Sequence, residues 1–423
     1  MSKLVEKLKL IFGDASLRKR IIFILSVLAL SRLFAIIPIP GIDTARLQSL
    51  FSSSEFLNLL NLFSGGGLTN LSVVMLGVGP YITASIIMQL MTVMVPKLKA
   101  MYQEEGDAGR RRFTQYSRLL TVPLAFIQGY AFIKLMQSQA ILPPLSFEAL
   151  AISLIVIVAG SMLLMWLGEL ITEFGIGNGV SLIIFAGIVA QLPAILGQIS
   201  FTFNPADLPI YLLGLVIALI VIFGIVIVTE AERPIPITYA KQIRGGRTYG
   251  GLSTYLPLRL NQAGVIPIIF ALSILVFPQM MFQFLSGSSI AAVASVSNFF
   301  LSLLANTWVY ASAYFVLVFL FTYFYTAVTF DPDSVATNLQ KSGAFVAGVR
   351  PGTATAEHIG KIMTRLVLVG ATFLSFIAVL PLIMRALTGI QALAIGGTAL
   401  LIVVSVVLDL IKKINAQVSV REY

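Results

Sequence analysis

The sequence predicts an all-α membrane protein of about ten spans, and three observations carry that prediction. Apolar residues fill 58% of the 423 positions and charged residues only 11%, whereas soluble proteins carry about 25% charged residues. So few charges do not cover a water-facing surface, which makes lipid the expected solvent. The apolar residues also run continuously for about the 20 positions that a helix needs to cross a bilayer, without the alternation of a membrane β-barrel. Lastly, the basic residues gather in alternate connections between these runs.

The apolar runs read as spans at 21–37, 73–95, 119–136, 149–168, 179–197, 209–228, 263–285, 303–327, 366–384 and 390–410. A shorter apolar piece, 56–63, closes on Gly65-Gly66-Gly67. It is too short to cross, so it reads as interfacial, re-entrant or buried among other helices. The N-terminal stretch has no small-residue cleavage pattern after its first apolar run, so no cleaved signal peptide is expected.

The net charge of +10 sits on one side. All of the 28 Lys and Arg except Arg32, Arg46, Lys134 and Arg385 fall in one set of connections and in the two ends of the chain. The positive-inside rule places that set, and both termini, in the cytoplasm. Two cytoplasmic connections, 229–262 and 328–365, are long enough to be functional or disordered. Ten spans divide into halves at 1–200 and 201–423. That parity permits an inverted repeat, although no sequence echo links the halves.

The chain has no Cys and a single His, His358, which removes disulfides, thiolate catalysis and the usual zinc clusters. No metal and no cofactor are expected. Charges inside a bilayer mark ion pathways and proton relays, and the spans hold almost none. Arg32 lies toward the outer end of the first span, where it could snorkel to the interface. Glu169 and Asp409 lie at cytoplasmic ends. The absence of a mid-membrane carboxylate pair or His–carboxylate relay argues against a proton-coupled transporter of small solutes and against an intramembrane protease. No G-x-x-x-x-G-K-[ST] loop is present, so energy has to come from outside the chain, and the protein reads as no enzyme.

Glycine and proline cluster at Gly77, Gly79 and Pro80, at Gly175, Gly177 and Gly179, at Gly264 and Pro267, and at Gly396 and Gly397. Small residues allow close helix packing. They also mark broken helices that line a cavity. At this stage either reading holds.

These clusters fall in segments that resemble the SecY family, the pore subunit of the bacterial protein-conducting channel. The segments are NLFSGGGL (61–68), GPYITASIIMQL (79–90), EFGIGNGVSLIIFAGIV (173–189), YAKQIRGGRTYGG (239–251), STYLPLRLNQAGVIPIIFA (253–271), FDPDSVATNLQKSGAFVAGVRPG (330–352) and GGTALLIVVSVVLD (396–409). They keep the family's order along essentially the whole chain.

The resemblance implies two five-helix pseudo-symmetric halves around a central hourglass pore, with a short re-entrant plug helix at 57–70. It implies a pore ring of Val78, Ile82, Val180, Ile184, Ile269 and Ile402. Plug residues would be Leu57, Asn61, Phe63, Ser64, Gly65, Gly66 and Gly67. A lateral gate between the second and third spans on one side and the seventh and eighth on the other would hold Thr83, Gln89 and Asn261. Arg244, Arg247 and Arg350 would dock the ribosome and the motor ATPase SecA, because guanidinium groups suit both RNA phosphates and acidic protein surfaces. The implied activity is passage of unfolded secretory chains across, and release of apolar segments into, the bacterial cytoplasmic membrane. Small SecE-like and SecG-like subunits, secretory preproteins, nascent membrane proteins and lipids are the implied partners. Two departures from the family pattern stand out: Thr69-Asn70 where a basic residue is frequent, and Pro234 where an arginine is frequent.

Overall fold

In the computed structural model the described residues are 13–38, 67–68, 71–138, 142–201, 208–239, 242–244, 247–249, 253–286, 290–388 and 396–419. Most of them are helical. Helix α1 (Ala15–Ile36) starts where the Asp14 carboxylate accepts the backbone N–H groups of Ser16 (2.7 Å) and Leu17 (3.4 Å), which satisfies donors that a helix start leaves unpaired. Helices α2 (Gly79–Met94) and α3 (Pro96–Gln103) meet at Val95 with a bend of 116°. Pro96 sets that break, because a proline disfavours helical geometry in the residue before it. Next come α4 (Gly106–Ser138), α5 (Phe147–Phe174), α6 (Gly179–Phe201) and α7 (Leu208–Glu230). Ser146 caps α5 by accepting from the N–H of Ala149 at 3.3 Å.

The connection 229–262, read from sequence as a loop, instead forms strands β1 (Glu232–Tyr239), β2 (Gln242–Arg244), β3 (Arg247–Tyr249) and β4 (Ser253–Arg259). Helices α8 (Ile266–Leu285), α9 (Ala291–Ala305), α10 (Thr307–Thr329) and α11 (Pro332–Lys341) follow, then β5 (Ala344–Val346), α12 (Thr353–Thr388) and α13 (Gly396–Ser419). The strands make the fold less than all-α. Strand β1 pairs antiparallel with β4 from Glu232↔Arg259 to Thr238↔Ser253, and with β5 from Ile237↔Val346 to Tyr239↔Ala344. The order β4-β1-β5 thereby joins the two long connections in one sheet. Prolines do not exclude β1 from the sheet interior. Pro234 and Pro236 precede the stretch bound to β5, and Pro234 lies opposite Pro257, so neither is needed as a donor to a third strand. Ile235, Leu258 and Val346 form a small core against Ile359, Met363 and Val367 of α12.

Among the described residues, five helices are long and apolar enough to cross a membrane, or six if the bent α2–α3 pair counts as one. The expected second span begins as helix only at Gly79, because 71–78 is a run of turns in which Leu71 (φ 39°) and Gly77 (φ 60°) adopt left-handed backbone. Helix α9 lies in what the sequence leaves as a connection, and its Phe300 ring stacks on Phe282 of α8 with centroids 4.7 Å apart.

Gly77, Gly177 (φ 96°) and Gly264 (φ 64°) each occupy the left-handed region immediately before α2, α6 and α8, a conformation that favours glycine. Gly179 has the other role: a Cβ there would run into the carbonyl of Gly168, so the start of α6 lies directly on α5. The close-packing reading of the glycine clusters is therefore realised at Gly179, while Gly77, Gly177 and Gly264 serve turns before helix starts.

Candidate functional site: an aliphatic cluster among membrane helices

The largest continuous apolar cluster gathers side chains from α1, α2, α5, α6, α8 and α13. Its buried members include Ile24 and Val27 of α1, Ile82 and Ile86 of α2, Ile171 of α5, Ile184 and Ile188 of α6, Phe270 of α8, and Ile402 and Val406 of α13. The spacing is helical: Ile82 and Ile86, Ile184 and Ile188, and Ile402 and Val406 are each four apart, which stacks them on one face of their helix.

All six residues expected at the pore ring fall in this cluster. Val78, Ile82, Ile184 and Ile402 are buried within it, and Val180 and Ile269 are half-buried against it. Ile269 also packs against the neighbouring cluster of α7, α8, α10 and α12, so it stands between the two. The chemistry available to such a site is limited and specific. Aliphatic side chains hold no donor or acceptor, so they neither bind a passing backbone nor stabilise a file of water, and a narrow apolar constriction dewets.

The expected plug residues Leu57, Asn61, Phe63, Ser64, Gly65 and Gly66 lie outside the described residues. Gly67 is described: its carbonyl accepts from the N–H (2.9 Å) and hydroxyl (3.0 Å) of Ser72. Leu68, 1% exposed, packs with Leu71, Met75, Phe132 and Ile157. Ser72 forms a bridge to Pro38, and Val73 donates to the Ile37 carbonyl at 3.0 Å. The chain leaving the triple glycine is thus tied to the end of α1.

The expected gate residues Thr83 and Gln89 lie on α2, and Asn261 lies between β4 and α8. The Thr83 hydroxyl donates to the carbonyl of Gly79 in its own helix at 3.0 Å. The Gln89 side-chain oxygen is buried without a donor among the described residues. Asn261, 7% exposed, has its side-chain oxygen in the same condition. It follows the end of the hairpin, where Leu260 N–H donates to the Ala231 carbonyl at 2.9 Å, and its backbone lies beside Gly370 of α12. An aromatic group joins the seventh and eighth spans. Phe270 of α8 meets Phe321 and Tyr325 of α10 edge-on, at 6.0 and 5.7 Å between centroids, while α8 packs against α4 and α2. The apolar periodicity of these helices is the same for any core face, so the sequence carried no separate signal for that aromatic group.

The expected docking arginines lie in the β2–β3 hairpin and in the connection between β5 and α12. Arg244 and Arg247 pair with each other across the β2–β3 hairpin. Arg350 is exposed in a turn flanked by Gly348 (φ 82°) and Gly352 (φ 98°), and its carbonyl accepts from the Thr355 hydroxyl at 2.8 Å. Among the described residues no group of three or more His, Cys, Asp or Glu could hold a metal.

The sequence profile of the SecY family matches residues 72–411. The protein translocase subunit SecY of Corynebacterium glutamicum is 42% identical over 433 residues, covering 97% of each chain. That of Mycobacterium bovis is 42% identical over 434 residues, covering 96% of each. Among solved structures, a protein-conducting channel aligns with TM-score 0.65 at 20% identity, over 93% of this chain and 91% of that one. A SecY structure described for a plug domain that stabilises its closed state aligns at 0.63 and 19%, over 93% and 91%. Sec61 in the canine ribosome-channel complex aligns at 0.62 and 19%, over 93% and 91%.

Proposed function

This chain belongs to the SecY family, and from that premise we propose that it is the central pore-forming subunit of a Sec translocase. It passes unfolded polypeptides across a membrane and releases apolar segments sideways into it. The chain is a channel subunit, not an enzyme. The observation that carries the proposal is the meeting of Val78, Ile82, Val180, Ile184, Ile269 and Ile402 in one aliphatic cluster. An unfolded chain offers backbone donors and acceptors at every residue, and a polar constriction would hold it. Aliphatic side chains let it slide, and they close on themselves when it has left.

On this reading the chain crosses the membrane ten times, in halves 1–200 and 201–423 around an hourglass pore, with 57–70 as the plug. The link from Ser72 to Pro38 and from Val73 to Ile37 supports it by giving the plug a fixed root beside α1. The seam opens where α8 lies against α2 and α4. Thr83, Gln89 and Asn261 line or brace it, with Phe270, Phe321 and Tyr325 holding α8 to α10. Interhelical polar contacts in membranes average only about 0.6 kcal/mol, so any that these side chains form on closure are weak enough for an entering apolar segment to displace.

Arg244, Arg247 and Arg350 are the proposed landing points for the ribosome and for SecA. Their connections share one sheet on α12, so a machine that grips either loop pulls on both. SecE-like and SecG-like subunits complete the complex in the bacterial cytoplasmic membrane, with both termini in the cytoplasm. The test is a stalled secretory chain carried into the channel. Photoreactive side chains at Ile82 and Ile269 should crosslink to it, and failure of both, with crosslinks from lipid-facing positions instead, would remove the central pore.

A further inference from the structure

A cleft of about 590 Å³ opens between the ends of α2 and α3 on one wall and α10, α11 and α12 on the others. That volume lies within the range of about 300–1,000 Å³ found for small-molecule sites. Its lining is ordered by polarity along three separate segments. On the first wall Val93 of α2 gives way to Lys99 of α3. Along the second, the aromatic end of α10 gives way to Asp331 and Asp333 at the start of α11. On α12 the deeper residues are Met363 and Val367, 5% and 3% exposed. With the basic side of the membrane in the cytoplasm, the first two walls run from apolar at membrane depth to charged at the cytoplasmic boundary, and the α12 wall adds Gly360 and Thr364 beside its apolar pair.

The geometry points to a site for one phospholipid of the cytoplasmic leaflet whose headgroup carries both a phosphate and a primary ammonium. An amphiphile standing in a leaflet has this same order of apolar body and polar head. The rim holds both signs, one lysine and two carboxylates, on different helices. A purely anionic headgroup would meet Asp331 and Asp333 with like charge. A cationic apolar peptide would meet Lys99 in the same way. An ammonium donates to the carboxylates while Lys99 takes the phosphate, and charge-assisted hydrogen bonds are the stronger kind. Asp331 keeps a structural duty as well, because its carboxylate accepts the N–H of Asp333 at 3.1 Å as the cap of α11. The cleft lies beside the proposed seam, between α2 and α10; the inference rests on the proposed membrane orientation and on none of the pore-ring residues.

The test uses the full-length chain purified in detergent with the subunits that copurify, stripped of lipid. It is titrated with phosphatidylethanolamine, phosphatidylcholine and phosphatidylglycerol of identical acyl chains, and bound lipid is read by native mass spectrometry. Phosphatidylethanolamine should bind about tenfold more tightly than either of the others. The quaternary ammonium of phosphatidylcholine has no N–H to donate. Asp331→Asn with Asp333→Asn should abolish the preference while keeping the cap, since asparagine caps as well as aspartate. Lys99→Gln should weaken phosphatidylethanolamine binding. Val93→Trp, at a position 63% exposed, fills the apolar end and should block binding if the asparagine variant does not fold.

Equal binding of the three lipids overturns the proposal, as does a preference that survives the asparagine pair or Val93→Trp. Soluble phosphoethanolamine displacing the lipid at equal concentration would move the ligand to a free headgroup and also overturn it. So would tight binding of a cationic apolar peptide with no lipid preference. Ion conductance is read separately, so failure here leaves the channel assignment untouched.

Discussion

The ring of Tyr325 on α10 meets the ring of Phe270 on α8 edge-on, with centroids 5.7 Å apart and planes at 88°. This joins the central aliphatic cluster to the helix beside it, because Phe270 is a buried member of that cluster. Edge-to-face pairs are worth about 0.5–1.5 kcal/mol beyond the area they bury. A double-mutant cycle of Phe270→Leu and Tyr325→Leu, measured by unfolding in mixed micelles, should return a coupling of about that size. Additive losses would show that α8 and α10 are held by other contacts.

The three-stranded sheet should fail as a unit. Val346, 3% exposed, pairs with Ile237 and packs into the core on α12. A carboxylate there is buried without a partner, which costs several kcal/mol. Val346→Asp should therefore expose the 229–262 connection to trypsin at Arg244 and Arg247 while the membrane helices resist. Cleavage no faster than in the unsubstituted protein would mean that the two connections are not joined through β5.

Gly179 tests the close approach of α5 and α6. Its missing Cβ makes room for the carbonyl of Gly168, so Gly179→Ala forces the helices apart. Overpacking of this kind costs about 1–3 kcal/mol, measurable as a lower thermal midpoint in detergent. Gly197→Ala is the control, because a Cβ there meets nothing within 4 Å.

The docking reading makes a separate prediction at Arg350. Its turn is set by Gly348, Gly352 and the Thr355 hydroxyl bond to the backbone, none of which uses the guanidinium. Arg350→Glu should leave thermal stability within about 0.5 kcal/mol of the unsubstituted protein and impair SecA-driven transport into vesicles. Full transport would remove Arg350 from the docking surface.

How much of this was legible in the sequence depends on the kind of signal. The helices were legible because long apolar runs have few other solutions in lipid. Every expected span overlaps a helix. The late start of α2 was only partly legible: Gly77, Gly79 and Pro80 mark a break, but nothing in the apolar residues 73–76 announces the turns that begin at Leu71. The sheet was half legible: Ile235 and Ile237, and Leu256 and Leu258, alternate as strand residues do, but Pro234, Pro236 and Pro257 mask the pattern. Helix α9 was hidden because its 15 residues are too few to read as a span.

The site divides in the same way. Val78, Ile82, Val180, Ile184, Ile269 and Ile402 came from the family resemblance, because Val and Ile in an apolar helix carry no positional signal of their own. The structure gathers them in one cluster. Thr83, Gln89 and Asn261 likewise came from the resemblance, and the hairpin closure at Leu260 and Ala231 sets the backbone of Asn261 beside Gly370 of α12.

The most direct test of the central claim is ion conductance across a planar bilayer holding the resting channel with Ile82→Gly and Ile269→Gly. Both changes remove aliphatic bulk from the proposed waist without adding charge. The account predicts that the resting channel then conducts ions while the unsubstituted channel stays closed. A folded double variant as tight as the unsubstituted protein would contradict it.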